Sequence, residues 1–163
     1  MIMKIEIISI KIPENANIIV AQSHFIKTVE DVVECLVNCV PNIKYGIAFN
    51  EASGKCLVRY EGNDEELLNT AIETAQKVAA GHTLYIYIRN AYPINILPRL
   101  KEVPEIVNIF CATANPLKIV VIEDEEKNRG IIGVIDGSSI KGIENNENKK
   151  ERKEFLRKIG YKL

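Results

Sequence analysis

Four short polar loops hold most of the side chains in this sequence that can do chemistry. The first is Gln22-Ser23-His24-Phe25, just ahead of an expected helix start at Thr28. Free N–H groups and the helix dipole favour an anion at such a place. An imidazole there can hydrogen-bond a phosphate, act as a general base or accept a phosphoryl group. It can equally serve only to fix its loop. Lys27 stands between His24 and the helix as a possible counter-charge.

The second loop is Phe49-Asn50-Glu51-Ala52-Ser53-Gly54-Lys55. Small residues let backbone approach a ligand closely. Glu51 can accept hydrogen bonds from a ribose diol and Lys55 can meet a phosphate, unless the segment is an ordinary hairpin turn. In the third, Phe110-Cys111-Ala112-Thr113-Ala114-Asn115-Pro116, Phe110 can stack on a planar base while Thr113 and Asn115 supply donors and acceptors. Read alone, Phe110 is equally a core residue and Asn115-Pro116 a plain turn. The fourth runs from Gly130 to Gly137. Asp136 at its exit is either a base, a ribose ligand or a turn cap. His82, after Gly81, reads first as a helix-terminal histidine.

Many common chemistries are absent. No GxxxxGK[ST] loop, GxGxxG turn, GxSxG elbow or HExxH pair occurs. Two His and four dispersed Cys (35, 39, 56 and 111) do not make a zinc pattern. With 21 basic and 22 acidic residues the net charge is −1, which gives no general pull toward nucleic acid or an anionic membrane. No apolar run reaches the ~18 residues of a membrane span, and residues 1–12 do not read as a signal peptide. A cytoplasmic location with reduced thiols is the expectation.

These loops need elements to hold them. The 163 residues suit one domain. Segments 3–12 and 17–21 read as strands, paired as a hairpin across Pro13-Glu14-Asn15. A helix opens at Thr28 and stops at Pro41, with Val29, Val32, Val33, Leu36 and Val40 as its apolar stripe. Strands are expected at 43–49 and 55–60, and a second helix from Asn63 to Gly81. Further strands follow at 83–89 and 107–112, with one short helix near 95–103. Segments 117–123 and 130–136 are nearly continuous apolar runs, as in strands covered on both faces. The expected fold is α/β (α+β), one domain over 1–143 with a mixed β-sheet and flanking helices. A charged helical extension, 144–163, would pack on the body or on a neighbouring subunit. Its Lys and Arg residues are interleaved with Glu147, Glu151 and Glu154, so a solvated face is a better reading than nucleic-acid binding.

Taken together, AQSHFIKTVEDV (21–32), YGIAFNEASGK (45–55), AGHTLYIYIRNAYPINIL (80–97), VPEIVNIFCATANP (103–116) and RGIIGVIDG (129–137) resemble the adenosine-specific kinase family of small archaeal and bacterial proteins. The likeness runs from the first strand to Gly142, and the tail beyond is not part of the pattern. The resemblance implies an α/β protein that binds adenosine or AMP, with a phosphorylated histidine. Carried onto this sequence, the phosphorylated histidine is His24, with His82 as the alternative. Read from the loops themselves, Asp136 joins His24 as catalytic, Phe49, Glu51, Ser53, Phe110, Thr113 and Asn115 would bind the nucleoside, and His24, Lys27 and Lys55 the phosphate. No cofactor is certain. Kinase chemistry would call for a phosphoryl donor and Mg²⁺, which Asp136 or Glu51 would have to hold. The other reading is a nucleoside sensor or carrier without turnover. A homo-oligomer is expected, with neither nucleic acid nor membrane as partner.

Overall fold

The computed structural model describes residues 3–163; residues 1–2, the start of the expected 1–143 unit, lie outside it. Eight strands and four helices alternate along the chain. They are β1 (Lys4–Ile10), β2 (Asn17–Ser23), α1 (Thr28–Cys39), β3 (Lys44–Asn50), β4 (Val58–Gly62) and α2 (Glu65–Val78). Then come β5 (Thr83–Arg89), α3 (Pro93–Leu100), β6 (Ile106–Thr113), β7 (Leu117–Glu123), β8 (Arg129–Asp136) and α4 (Asn146–Lys158). The expected single α+β domain is observed, with every strand pair antiparallel.

The strands form two sheets, one in the order β4-β3-β5-β2-β6 and one in the order β1-β7-β8. The expected β1–β2 hairpin does not form. β1 pairs with β7 instead, Ile7 opposite Val120, while β2 lies between β5 and β6. The cause lies in burial. Ile18, Ile19, Val20 and Ala21 are all fully buried, so β2 needs cover on both faces and takes an interior position. One face of the large sheet packs α1 and α3 through Ile19, Ile47, Leu84, Ile86, Leu36 and Ile96. The other packs α2 and the small sheet through Ile18, Val20, Tyr85, Tyr87, Leu67 and Ile119.

The small sheet also departs from expectation. β7 and β8 are covered on one side only, and Ile132 remains 54% exposed on the outer side. Continuous apolar runs here do not mean two buried faces. Local starts and stops shift too. Thr28 lies inside α1 rather than capping it, its buried hydroxyl bonded to Ser23 and to the Phe25 carbonyl. Asp64, not Asn63, caps α2 by accepting from the Leu67 N–H, and Ala79, in the left-handed region at φ 52°, ends that helix before Gly81. α3 begins at Pro93, earlier than expected, because a proline at the first helical position sacrifices no hydrogen bond. α2 lies against β3 at Gly46, where a Cβ would come within 2.2 Å of the Leu68 nitrogen.

Candidate functional site

The ends of β2, β5, β3 and β6 meet along one edge of the large sheet. The Ser23 N–H donates to the His82 carbonyl at 2.8 Å, and the His82 N–H donates to the Asn50 carbonyl at 2.8 Å. Ser23, next to His24, and Asn50 are thereby both tied to His82. The strands carrying them are two spacings apart, roughly 10 Å. His82 is not a helix-terminal residue. It holds φ 58°, a conformation sparsely populated by side-chain-bearing residues, and its ring stacks on buried Phe49 with centroids 6.0 Å apart.

His24 is exposed and lies just before α1. Its Nδ1 is 2.9 Å from the Glu105 main-chain oxygen, and its N–H donates to the same oxygen at 3.2 Å. Glu105 carries no signal in the sequence: it is a single carboxylate after Pro104 in an otherwise apolar run, Val103 to Val107. Yet its side chain is only 2% exposed. Lys27 forms an ion pair with Glu105 Oε1 at 2.7 Å and another with Asp31. Those two carboxylates raise the Lys27 pKa, through the Asp31 hydrogen bond first and the Glu105 bond second.

Glu51 begins the turn that follows β3. Its Oε2 accepts from the Leu57 N–H at 2.7 Å and its Oε1 pairs with Arg59 at 2.9 Å. The Leu57 N–H and then the Arg59 guanidinium hold its pKa below the ordinary glutamate value. Ser53 and Lys55 are exposed on the same turn. Asn50, in the same candidate loop, is 7% exposed and donates to the Ala75 and Ala80 carbonyls at 3.0 and 3.1 Å. A cavity of about 660 Å³ opens beside it, between the 50–58 turn, the C-terminal end of α2 and the β7–β8 turn. Asn50, Glu51, Gln76, Lys127, Asn128 and Arg129 are its polar lining. Its size falls in the ~300–1,000 Å³ range of small-molecule sites.

The remaining sequence candidates lie elsewhere. Thr113 pairs with Ile18, near the opposite end of β2 from His24, which puts it about 20 Å away at strand rise. There Asp136 Oδ1 accepts from Thr113 Oγ1 at 2.7 Å and from Asn115 Nδ2 at 3.2 Å. These three form a tight cluster of their own. Phe110 packs on the α2 side of the sheet and Phe49 on the α1 side, so within one chain the two rings do not face the same base.

Mg²⁺ finds no ready set of ligands. No group of three or more His, Cys, Asp or Glu side chains placed to hold a metal occurs among the described residues. Both Glu51 oxygens are engaged, and Asp136 is engaged by Thr113 and Asn115. Glu51 and Asp136, expected to hold Mg²⁺, therefore do not fit it as placed.

The profile of the family described as adenosine specific kinase matches residues 8–162. The chain belongs to that family. The match runs through α4, so the charged tail is inside the family pattern and not beyond it. The chain is also similar to the PH1918 protein from Pyrococcus horikoshii OT3, known from a crystal structure. Identity is 45%, 99% of each chain is covered, and the TM-score is 0.94. No curated protein matches significantly. Membership supports a nucleoside-kinase-like function, with adenosine as the substrate the family name suggests. No helix among the described residues is long and apolar enough to cross a membrane.

Proposed function

We propose that the protein binds adenosine or AMP and moves a phosphoryl group through His24. The observation that carries this reading is the way the imidazole is held. A carbonyl oxygen can only accept, so the 2.9 Å contact fixes the hydrogen on Nδ1 and leaves the Nε2 lone pair for chemistry. The ring is exposed and stands ahead of α1, at the end of the helix where the dipole favours an anion.

Nε2 attacks the phosphorus of a donor such as a nucleoside triphosphate, and the bond to the donor's leaving oxygen breaks. A hydroxyl of adenosine then attacks the phosphorus. The N–P bond breaks, its electron pair returns to Nε2, and the hydroxyl proton leaves to solvent. The cavity beside Asn50 is the seat for the nucleoside; His24 does not line it and stands two strands away, so the ribose end would have to reach past His82. Glu51 stays ionised there, and each of its oxygens keeps a second lone pair for a ribose hydroxyl beside its bond to Leu57 or Arg59, while the Gln76 amide faces the base. Arg129 and Lys127, paired in the free protein with Glu6 and Glu123, are the cavity's cations and would exchange those partners for the phosphate of AMP. In this reading the protein works in the cytoplasm with its cysteines reduced.

The test is incubation with γ-labelled ATP, with and without adenosine. Acid-labile label on the protein is expected, together with labelled AMP when adenosine is present. His24→Asn should lose both, and His82→Asn should keep the protein label. Absence of label on histidine and of labelled AMP overturns the transferase reading. One observation favours a sensor or carrier instead: the Lys27 charge is already matched by Asp31 and Glu105. Calorimetry decides between them, since adenosine and AMP binding without ATP binding or turnover fits the carrier alone.

A further inference from the structure

The chain carries two apolar surfaces that its own fold leaves uncovered. The first is the outer face of the β1-β7-β8 sheet. Alternation points Ile8, Ile119 and Val121 inward and Ile5, Ile7 and Ile135 outward, and the bulge in β8 leaves Ile132 exposed as well; these four are 46–62% exposed. Isoleucines adjacent on a sheet face form a contiguous patch rather than scattered exposed residues, and such patches mark interaction surfaces. The second is the arm after β8. α4 buries none of its residues, and Phe155 and Ile159 share one side of it, 58% and 44% exposed. Ile140 and Ile143, on the segment leading into α4, are almost fully exposed.

A lone helix of this length is marginal in water. α4 nevertheless belongs to the family pattern, and the crystal structure of the Pyrococcus horikoshii protein superposes over 99% of both chains. A retained helix with no core of its own to rest on calls for a surface supplied from outside. Charge points the same way. Residues 1–143 carry 14 basic against 18 acidic side chains, and residues 144–163 carry 7 against 4. Four successive acidic residues, Glu123 to Glu126, stand at the rim of the small sheet; Lys127 and Arg129 pair with Glu123, and the turn stays net negative. The arm is thus positive where the body, and this rim, are negative.

We infer that α4 of one copy lies across the outer face of the β1-β7-β8 sheet of a second copy. Each copy donates one arm and receives one, and the isoleucine face is covered by Phe155, Ile159 and the leader isoleucines. The basic side of α4 meets the acidic rim. The occupant is therefore a second copy of this chain.

Light scattering of the full chain at micromolar concentration is expected to give a multiple of the 18.3 kDa protomer. Two full-length double variants, Ile5→Asp with Ile7→Asp and Phe155→Asp with Ile159→Asp, alter only exposed positions and should each give monomers with unchanged circular dichroism. In a second measurement, Ile7→Cys and Phe155→Cys are placed on separate chains in a Cys56→Ser background and mixed under oxidation. A disulfide-linked pair of the two different chains is expected. A monomeric wild-type protein, an oligomer unaffected by both double variants, or an absence of cross-link between the mixed chains would each overturn the inference.

Discussion

His24 and Glu105 are joined twice at a single atom: the main-chain N–H and the ring Nδ1 of His24 both reach the Glu105 carbonyl oxygen. The contact has a regiochemical consequence. With Nδ1 carrying the hydrogen, only Nε2 has a lone pair to form a bond to phosphorus. The phosphohistidine expected from the proposed transfer is therefore the Nε2 isomer. Alkaline digestion of labelled protein and chromatography against both phosphohistidine standards reads this directly. Predominance of the Nδ1 isomer would mean that the ring turns away from Glu105 before it reacts.

Glu51 ties the cavity turn at both of its oxygens, and its effect should depend on pH. Its pKa is depressed in the fold by the Leu57 N–H and then by Arg59. A carboxyl depressed on folding adds stability above its unfolded pKa, and that stability disappears as pH falls through the folded value. Order in the 51–57 turn should hold at neutral pH and weaken on acidification below the ordinary glutamate range. Glu51→Gln should show a looser turn throughout, with no transition in that window. The chemical shift and exchange rate of the Leu57 amide against pH separate the two proteins. Adenosine affinity, measured at neutral pH, should fall in the variant.

Gly46 sets the distance between α2 and the large sheet. An added Cβ would lie 2.2–2.5 Å from backbone atoms of Leu67 and Leu68. Backbone cannot rotate away as a side chain end can, so the helix must move as a unit. Gly46→Ala is expected to cost about 1–3 kcal/mol, the usual range for overpacking, or more if α2 detaches from β3. Urea denaturation followed by circular dichroism measures this. A variant as stable as the parent would show that α2 slides freely on the sheet.

The sequence made the elements legible but not their partners. Helices α1 and α2 announce themselves by apolar spacing, and β2 by an unbroken apolar run whose burial on both faces follows. β7 and β8 carry the same kind of run and have one open face, because period alone does not distinguish a covered surface from one awaiting a partner. At the candidate site, His24 and Glu51 could be read because their residue types and loop positions suggest chemistry. Glu105 could not, since it acts on His24 through its main chain, and a carbonyl oxygen leaves no trace in residue identity. The grouping of Thr113, Asn115 and Asp136 was legible as polar turns, but their separation from His24 follows from antiparallel pairing of β2 with β6, which reverses which ends meet.

Asn50 shows how a nearly buried amide can hold the cavity wall. Its Nδ2 donates to two carbonyls, Ala75 at the end of α2 and Ala80 in the following turn. Asn50→Ala removes that donor from both, while Ala75 keeps the Ala79 N–H and Ala80 keeps the Thr83 hydroxyl, so the expected loss is about 0.5–1.5 kcal/mol. Asn50→Asp should be worse at neutral pH, because a carboxylate oxygen would then face two carbonyl oxygens. Burial and that repulsion favour the protonated acid, so the introduced carboxyl's folded pKa would rise above its unfolded value. Its relative stability would then be greatest below the unfolded pKa and would be lost as pH rises through the folded one. Thermal melts of the parent and both variants from mildly acidic to neutral pH test this. If the Asn50→Asp protein becomes no more stable on acidification, relative to Asn50→Ala, then the two carbonyls turn away and Asn50 does not hold the wall.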